Sequence, residues 1–316
     1  MENLLFSLNA TTPIFLMMAA GYFFNKTGVI DMQFADKLNK FVFKIALPVL
    51  LFRDLSASDF YSAWDTKFVL FCFAVTLISI LMMAFISYFF KDKSIRGEFI
   101  QASFRSSAAL LGCAYVQNIY GEAGAAASLM IIGAVPLYNI ASVAILTLLK
   151  PDGGKITKDL INKTLKGIVT NPIIIGIVVG MFWSLAKLPQ PQILNKSVSY
   201  IAATATPLGL MALGASFEFR KAFGRIKPAL ICSAFKLVIF EALFLPAAVL
   251  LMGFRQEKLV SILVMLGAAA TVSCFTMAKS MGHDGTLSSS TVMLTTLLSA
   301  FTLTGWVYIV KSTGLI

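Results

Sequence analysis

Ten long apolar runs follow one another in this chain, near residues 4–25, 37–56, 67–90, 97–119, 124–149, 166–186, 192–217, 226–252, 256–280 and 287–311. Each is close to the length a helix needs to cross ~30 Å of hydrocarbon. The joins between them are too short to hold a water-soluble domain. Of the 316 residues, 58% are hydrophobic and 13% charged, about half the charge of a soluble domain. The chain therefore reads as an all-α polytopic membrane protein with ten transmembrane helices, and the lipid bilayer is its expected surroundings. Glu2 precedes the first run with no basic residue, which is unlike a cleaved signal peptide. The net charge of +11 could suit nucleic acid, but the charges fall between the apolar runs. That pattern marks basic cytoplasmic joins, and no nucleic-acid partner is expected.

The basic residues also set an orientation. With the N-terminus outside, 16 Lys and Arg lie in the inner joins and 7 on the outer side, while Lys44, Arg105 and Lys236 fall inside runs. The expectation is a multi-pass protein of the cell inner (cytoplasmic) membrane with both termini outside.

The longest join, Lys150 to Leu165, sits near mid-chain and divides residues 1–150 from 151–316. The two halves look like copies. Pro13, Gly21 and Pro48 are matched by Pro172, Gly180 and Pro207, and Arg96 and Glu98 by Arg255 and Glu257, all at an offset of 159 residues. Gly121 and Gly124 are matched by Gly282 and Gly285 at an offset of 161. Five runs per half is an odd number, so the second half must begin on the opposite side. This predicts two inverted five-helix repeats, an arrangement of many secondary transporters.

The fourth run, Phe99 to Ile119, is wrong for a plain spanning helix. Arg105 places a full charge among apolar residues, and Ser106, Ser107, Gly112 and Cys113 weaken the helix after it. Charge at bilayer depth costs about 2.5–3.5 kcal/mol on insertion scales. Irregular backbone survives there only where it is buried or lines a cavity. The spacing predicts a broken helix at a binding site; the alternative is a continuous helix with Arg105 snorkelling. The ninth run, through GAAATVSCFTMAK, is its partner and is equally rich in small and polar residues.

The segments ALPVLLF (Ala46–Phe52), FRSSAALLG (Phe104–Gly112), VPLYN (Val135–Asn139), NPIIIGIVVG (Asn171–Gly180), TPLGLMALGASF (Thr206–Phe217) and AKSMGHD (Ala278–Asp284) resemble the auxin efflux carrier family of membrane transporters, in its bacterial branch. The resemblance covers nearly the whole chain. It implies that helices 1, 2, 6 and 7 form a scaffold and helices 3–5 and 8–10 a transport domain. It further implies that helices 4 and 9 break and cross at the substrate site. It also implies secondary active transport of small organic anions such as carboxylates, by alternating access of an elevator type. Ser107 stands where the family commonly has Asn, and neither Ala114 nor Thr271 is the proline often found near each break.

Arg105 could pair bidentately with a substrate carboxylate, or cap helix C-terminal carbonyls. Ser106, Ser107, Thr271 and Ser273 could present hydroxyls to a bound anion, or hydrogen-bond between helices. Gly112, Cys113 and Ala114 at the first break, and Ala270 and Val272 at the second, complete the substrate-binding set the resemblance implies. Tyr138 and Asn139 follow Pro136 and either face the crossover or pack. Lys236 could be a substrate counter-charge, a stand-in for a coupling cation, or half of a fixed ion pair. Glu241 follows it by five residues, so on a regular helix the two do not share a face. As an acid inside a span, Glu241 is the first proton-coupling candidate. Asp54 is the second, although adjacent Arg53 and a nearby span end suggest a surface role. His283, in a join, reads as a solvated histidine. Gly176 and Gly180 are spaced for close helix packing, on a scaffold or a dimer face. A homodimer through scaffold helices is expected.

No metal-ligand spacing, HExxH, or Ser with a His partner lies in the runs, and no GxxxxGK appears. An enzyme is not expected, nor a metal or cofactor. The four cysteines, Cys72, Cys113, Cys232 and Cys274, read as small buried hydrophobes. The expected partners are a small organic-anion substrate and a coupling ion, proton or sodium. The alternative function is a sodium-coupled organic-anion symporter of the bile-acid transporter type.

The orientation is tested by reporter fusions. A reporter active only in the cytoplasm should be dark at the C-terminus and bright when inserted at Gly153. The reverse pattern would overturn the assignment.

Overall fold

The structure is a computed structural model that describes residues 2–57, 64–108, 113–120, 125–151 and 158–316. Among these residues there are helices and turns and no strand. The first half holds α1 (Glu2–Lys26), α2 (Met32–Phe41), α3 (Leu47–Ser56), α4 (Thr66–Ser87), α5 (Arg96–Phe104), α6 (Cys113–Tyr120) and α7 (Ala125–Leu148). The second holds α8 (Lys158–Val169), α9 (Pro172–Leu185), α10 (Gln192–Ala215), α11 (Phe219–Gly224), α12 (Ile226–Ala234), α13 (Phe240–Leu250), α14 (Gln256–Gly267), α15 (Ser273–Ser280) and α16 (Thr286–Ser312). Two widened turns, closed by i→i+5 hydrogen bonds, join α2 to α3 at Val42–Ala46 and α12 to α13 at Phe235–Ile239. Such turns concentrate at functional sites.

Among the described residues, five helical stretches are each long and apolar enough to cross a membrane: α4, most of α7, α10, the continuous α12–α13, and α16. The other apolar runs hold α1 and helices in shorter pieces. The sixth run is one of these, and its expected boundary is corrected. Asn171 is extended, as a residue before proline must be, and its side chain accepts the Ile173 N–H at 2.9 Å. So α8 ends before it and α9 starts afresh at Pro172.

The helices pack in two groups. In one, α1 lies on α10 and α3 on α9, with α10 also touching α2 and α3. Here backbones meet without side chains between them. A Cβ on Gly176 would sit 2.4 Å from the Pro48 carbonyl oxygen, and one on Gly214 1.9 Å from that of Met18. Gly180 faces Phe52 in the same way. The Gly176–Gly180 face is therefore used inside the chain, against α3, which removes the dimer-face alternative for these two glycines. In the other group α4 packs on α7, α5 on α4 and α7, α12 on α16, and α14 on α7, α13 and α16, and the two groups meet where α1 packs on α16.

The repeated Arg and Glu have reciprocal contacts. Glu98, 2% exposed at the start of α5, accepts the backbone N–H groups of Gly285 and Ser288 at 2.9 Å each, which begin α16. Glu257, at the start of α14, accepts the N–H of Ala126 at 3.1 Å, which begins α7. Each carboxylate thus satisfies orphan donors at a helix N-terminus in the other half and meets its dipole favourably. Arg96 donates to the Phe90 carbonyl at 2.9 Å and Arg255 to that of Val249 at 3.2 Å, and these two acceptors are also 159 residues apart. Two ion pairs of 2.5 Å, Asp92–Arg225 and Asp65–Lys258, likewise link the halves. The Ser94 hydroxyl, and then Arg225, hold the Asp92 carboxyl below the usual carboxylate range. Lys258 does the same for Asp65.

Glu98→Ala leaves two buried donors without partners. Hydrogen bonds to a charged group contribute about 1.5–3 kcal/mol each, so a loss of ~3 kcal/mol or more is expected, read as a lowered melting temperature. Glu218→Ala, which removes one half of an exposed ion pair with Lys221, should change it little.

Candidate functional site

Helix α5 stops at Phe104 because Arg105 turns to extended backbone (φ −69°, ψ 134°). Helix α14 stops at Gly267 because Ala268 does the same (φ −66°, ψ 151°). The fourth and ninth apolar runs are therefore both interrupted, as the small and polar residues predict. The two interruptions touch: the Ser107 N–H donates to the Ala269 carbonyl at 3.0 Å. The Ser106 hydroxyl lies 3.3 Å from the Ala268 carbonyl, and the Ala270 N–H donates to Thr295 Oγ1 at 3.0 Å. Backbone groups freed by one break are met by the other and by α16.

A cavity of about 100 Å³ lies against this junction. At ~30 Å³ per water that is the space of about three waters, the scale of a small solute. Its walls come from both breaks (Arg105, Ser106, Ser107, and Ala269 to Ser273), from α7 (Val135, Tyr138, Asn139), from α3 (Leu47, Leu50, Leu51, Asp54) and from α10 (Ala205, Thr206).

Arg105 is 4% exposed and reaches it from the first break. Its Nη2 donates to Asn139 Oδ1 at 3.0 Å and to Ser273 Oγ at 2.6 Å, and its Nη1 points at Met277 Sδ. Asn139 is itself fixed by donating to the Val135 carbonyl at 2.9 Å. Arg105 Nε has no acceptor, and among the described residues no carboxylate forms an ion pair with the guanidinium. Ser273 also begins α15, so the positive end of a half-helix adds to the charge of Arg105. A buried cation without a counter-charge is costly. This corner of the cavity holds a positive charge that no ion pair among the described residues offsets.

The sequence-derived candidates divide. Arg105, Ser106, Ser107, Tyr138, Asn139, Ala270, Thr271, Val272 and Ser273 all line the cavity. Asp54 lines it too, half-buried and paired with Arg53 at 2.8 Å, which corrects its expected surface role. Lys236 and Glu241 do not line it. Both are buried, and the backbone at Phe235–Ile239 is a widened turn and not the regular helix expected there. His283 is 4% exposed, with Nε2 2.8 Å from the Leu146 carbonyl oxygen, and is not the solvated residue expected. Cys113 and Ala114 begin α6, and their side chains lie outside the described residues, as does Gly112. Apart from Asp54, the walls from α3 and α10 were missed as site residues. Their signal was the matched pair Pro48 and Pro207, which the cavity residues Leu47 and Thr206 immediately precede.

A family model described as "Membrane transport protein" matches residues 6–307. Three relatives align over nearly their whole lengths. One, named "Putative malonate transporter", is from Rhizobium meliloti and is 24% identical over 96% of this chain and 95% of its own. An uncharacterized transporter of Methanocaldococcus jannaschii is 24% identical over 94% of this chain and 96% of its own. Another from Methanothermobacter thermautotrophicus is 21% identical over 95% and 97%.

The cavity is tested by thiol labelling. With Cys113 replaced by Ser, the buried Cys72, Cys232 and Cys274 should resist a small methanethiosulfonate reagent. Thr271→Cys in that background should label. Failure of Thr271→Cys to label under any condition would deny the cavity solvent access.

Proposed function

Because the chain belongs to the membrane transport protein family, the auxin efflux carrier family its motifs resemble, we propose that it is a secondary active transporter of small organic anions. The observation that carries this reading is Arg105, a buried guanidinium facing a cavity with no carboxylate paired to it. A carboxylate entering that corner supplies the missing counter-charge and can take the free Nε donor as well. Hydroxyls of Ser107 and Thr271 and the start of α15 complete a polar rim, and Leu47, Leu50 and Val135 cover the carbon chain. The cavity suits a short carboxylate or dicarboxylate. Malonate, specified by the name of the Rhizobium meliloti relative, is the first substrate to try.

The transport cycle in this reading is alternating access of an elevator type across the cytoplasmic membrane. Ten spans in two inverted repeats are supported by the 159-residue offset and by the reciprocal Glu98 and Glu257 contacts. The glycine-tight pairs α1–α10 and α3–α9 suit an immobile scaffold, and the group holding both breaks suits the moving part. A homodimer through the scaffold would use the outward face of α9, where Val178 and Phe182 are exposed. Asp54, on the scaffold wall of the cavity, is the proton-coupling candidate that faces substrate.

Purified protein should gain thermal stability with malonate, as any ligand that binds only the folded state produces. Arg105→Ala should weaken malonate binding by about 2–5 kcal/mol, the usual effect of truncating a buried charged partner. Ser107→Ala should cost about 0.5–1.5 kcal/mol, as for one neutral hydrogen bond. An Arg105→Ala protein that folds and binds malonate and other short carboxylates as wild type does would remove Arg105 as the anchor.

A further inference from the structure

Lys236 is 1% exposed, within the widened turn between α12 and α13, and lies away from the cavity. Its ammonium donates to the carbonyl oxygen of Leu266 and lies 3.5 Å from that of Met265. These are among the last carbonyls of α14, just before the break. A helix that stops inside a membrane leaves such carbonyls without N–H partners and with partial negative charge. Glu241 places a carboxyl group at the same helix end, beyond ion-pair distance of the ammonium. It is 0% exposed, and neither of its oxygens has a hydrogen-bond partner. Its Oε1 fills the space beside Gly267 where any side chain would begin, with a built Cβ only 1.7 Å away.

The elements around this spot bring little else that is charged. Cys274 of α15 is the other titratable group whose charge reaches the ammonium. Trp306 of α16 donates its indole N–H to the Leu237 carbonyl at 3.1 Å, inside the widened turn. What remains is a nook of helix-end carbonyls and one carboxyl group. Carbonyl ends of broken transporter helices are where coupling cations bind. A compact ammonium on a flexible stem can occupy the same position as a point charge.

We propose that Lys236 is a tethered cation filling what is otherwise a sodium site, so that the protein works without sodium, and that removing Lys236 uncovers a sodium-binding site made by the carbonyls of Met265 and Leu266 and the carboxylate of Glu241. This deepens the transport reading by excluding sodium as the coupling ion. The site itself is tested without any transport substrate.

Melting temperatures of the full-length protein are compared in sodium chloride and in choline chloride at equal ionic strength. Wild type should melt alike in both. Lys236→Ala should melt lower than wild type in choline and recover with the logarithm of the sodium concentration. The double variant Lys236→Ala/Glu241→Gln should lose that recovery. Lys236→Arg, which keeps a cation, should stay indifferent to sodium. A wild-type protein stabilised by sodium overturns the proposal, and so does a Lys236→Ala protein that is flat in sodium. If Lys236→Ala cannot be purified in either salt, the wild-type comparison and malonate uptake with and without a sodium gradient decide: stimulation by sodium refutes the idea and indifference supports it. Absence of malonate binding together with an intact sodium response in Lys236→Ala would count against the substrate reading and leave the tethered cation standing.

Discussion

Backbone N–H and C=O groups that leave a helix inside a bilayer find no water to bond, and each left unpaired costs several kcal/mol. Two such interruptions lie in this chain, after Phe104 and after Gly267, and much of the surrounding architecture answers them. The Ser107 N–H meets the Ala269 carbonyl, Thr295 meets the Ala270 N–H, and Lys236 meets the carbonyl end of α14. The breaks can exist because each supplies partners to the other or draws them from a neighbouring helix. The same requirement explains why the cavity sits where it does. Irregular backbone needs space and polar company, and those are what a small charged solute also needs.

The distribution of charge follows a related logic. Several charged side chains are set against backbone groups at or near helix ends. Glu98 and Glu257 sit at N-termini, and Arg96, Arg255 and Lys236 at C-terminal carbonyls. Arg105 breaks the pattern, since it lies at the start of α15, where the helix dipole opposes it. A charge placed against its local field without compensation is a feature of sites that wait for a ligand.

Much of this was legible in the residues. The apolar runs, the mid-chain seam, the shared offset and the weak helix after Arg105 all leave periodic or compositional traces, and the breaks fall where small and polar residues cluster. What was not legible depends on geometry that spacing alone does not encode. The widened turn that holds Lys236 five residues before Glu241 leaves no trace in their spacing. Asp54 faces the cavity because α3 packs tightly on α9, a register set by Gly176 and Gly180. His283 is buried because the short join folds back on α7 and α5, where its ring lies against Leu146 and Gly97. The boundary of α9 was misplaced because hydropathy runs on smoothly through a proline that restarts the helix.

That restart makes α9 short. Its 14 residues span ~21 Å at 1.5 Å each, well under the ~30 Å of an average hydrocarbon core. Its outward face is apolar, with Ile175, Val178 and Phe182 exposed, and is open either to lipid or to a second copy. Where lipid covers it, the bilayer beside α9 has to thin locally, at a cost of fractions of a kcal/mol per ångström of mismatch. The protein is thereby coupled to the acyl-chain length of the membrane that holds it. Thin bilayers relieve the mismatch at this helix and thick ones increase it, independently of any solute bound at the breaks.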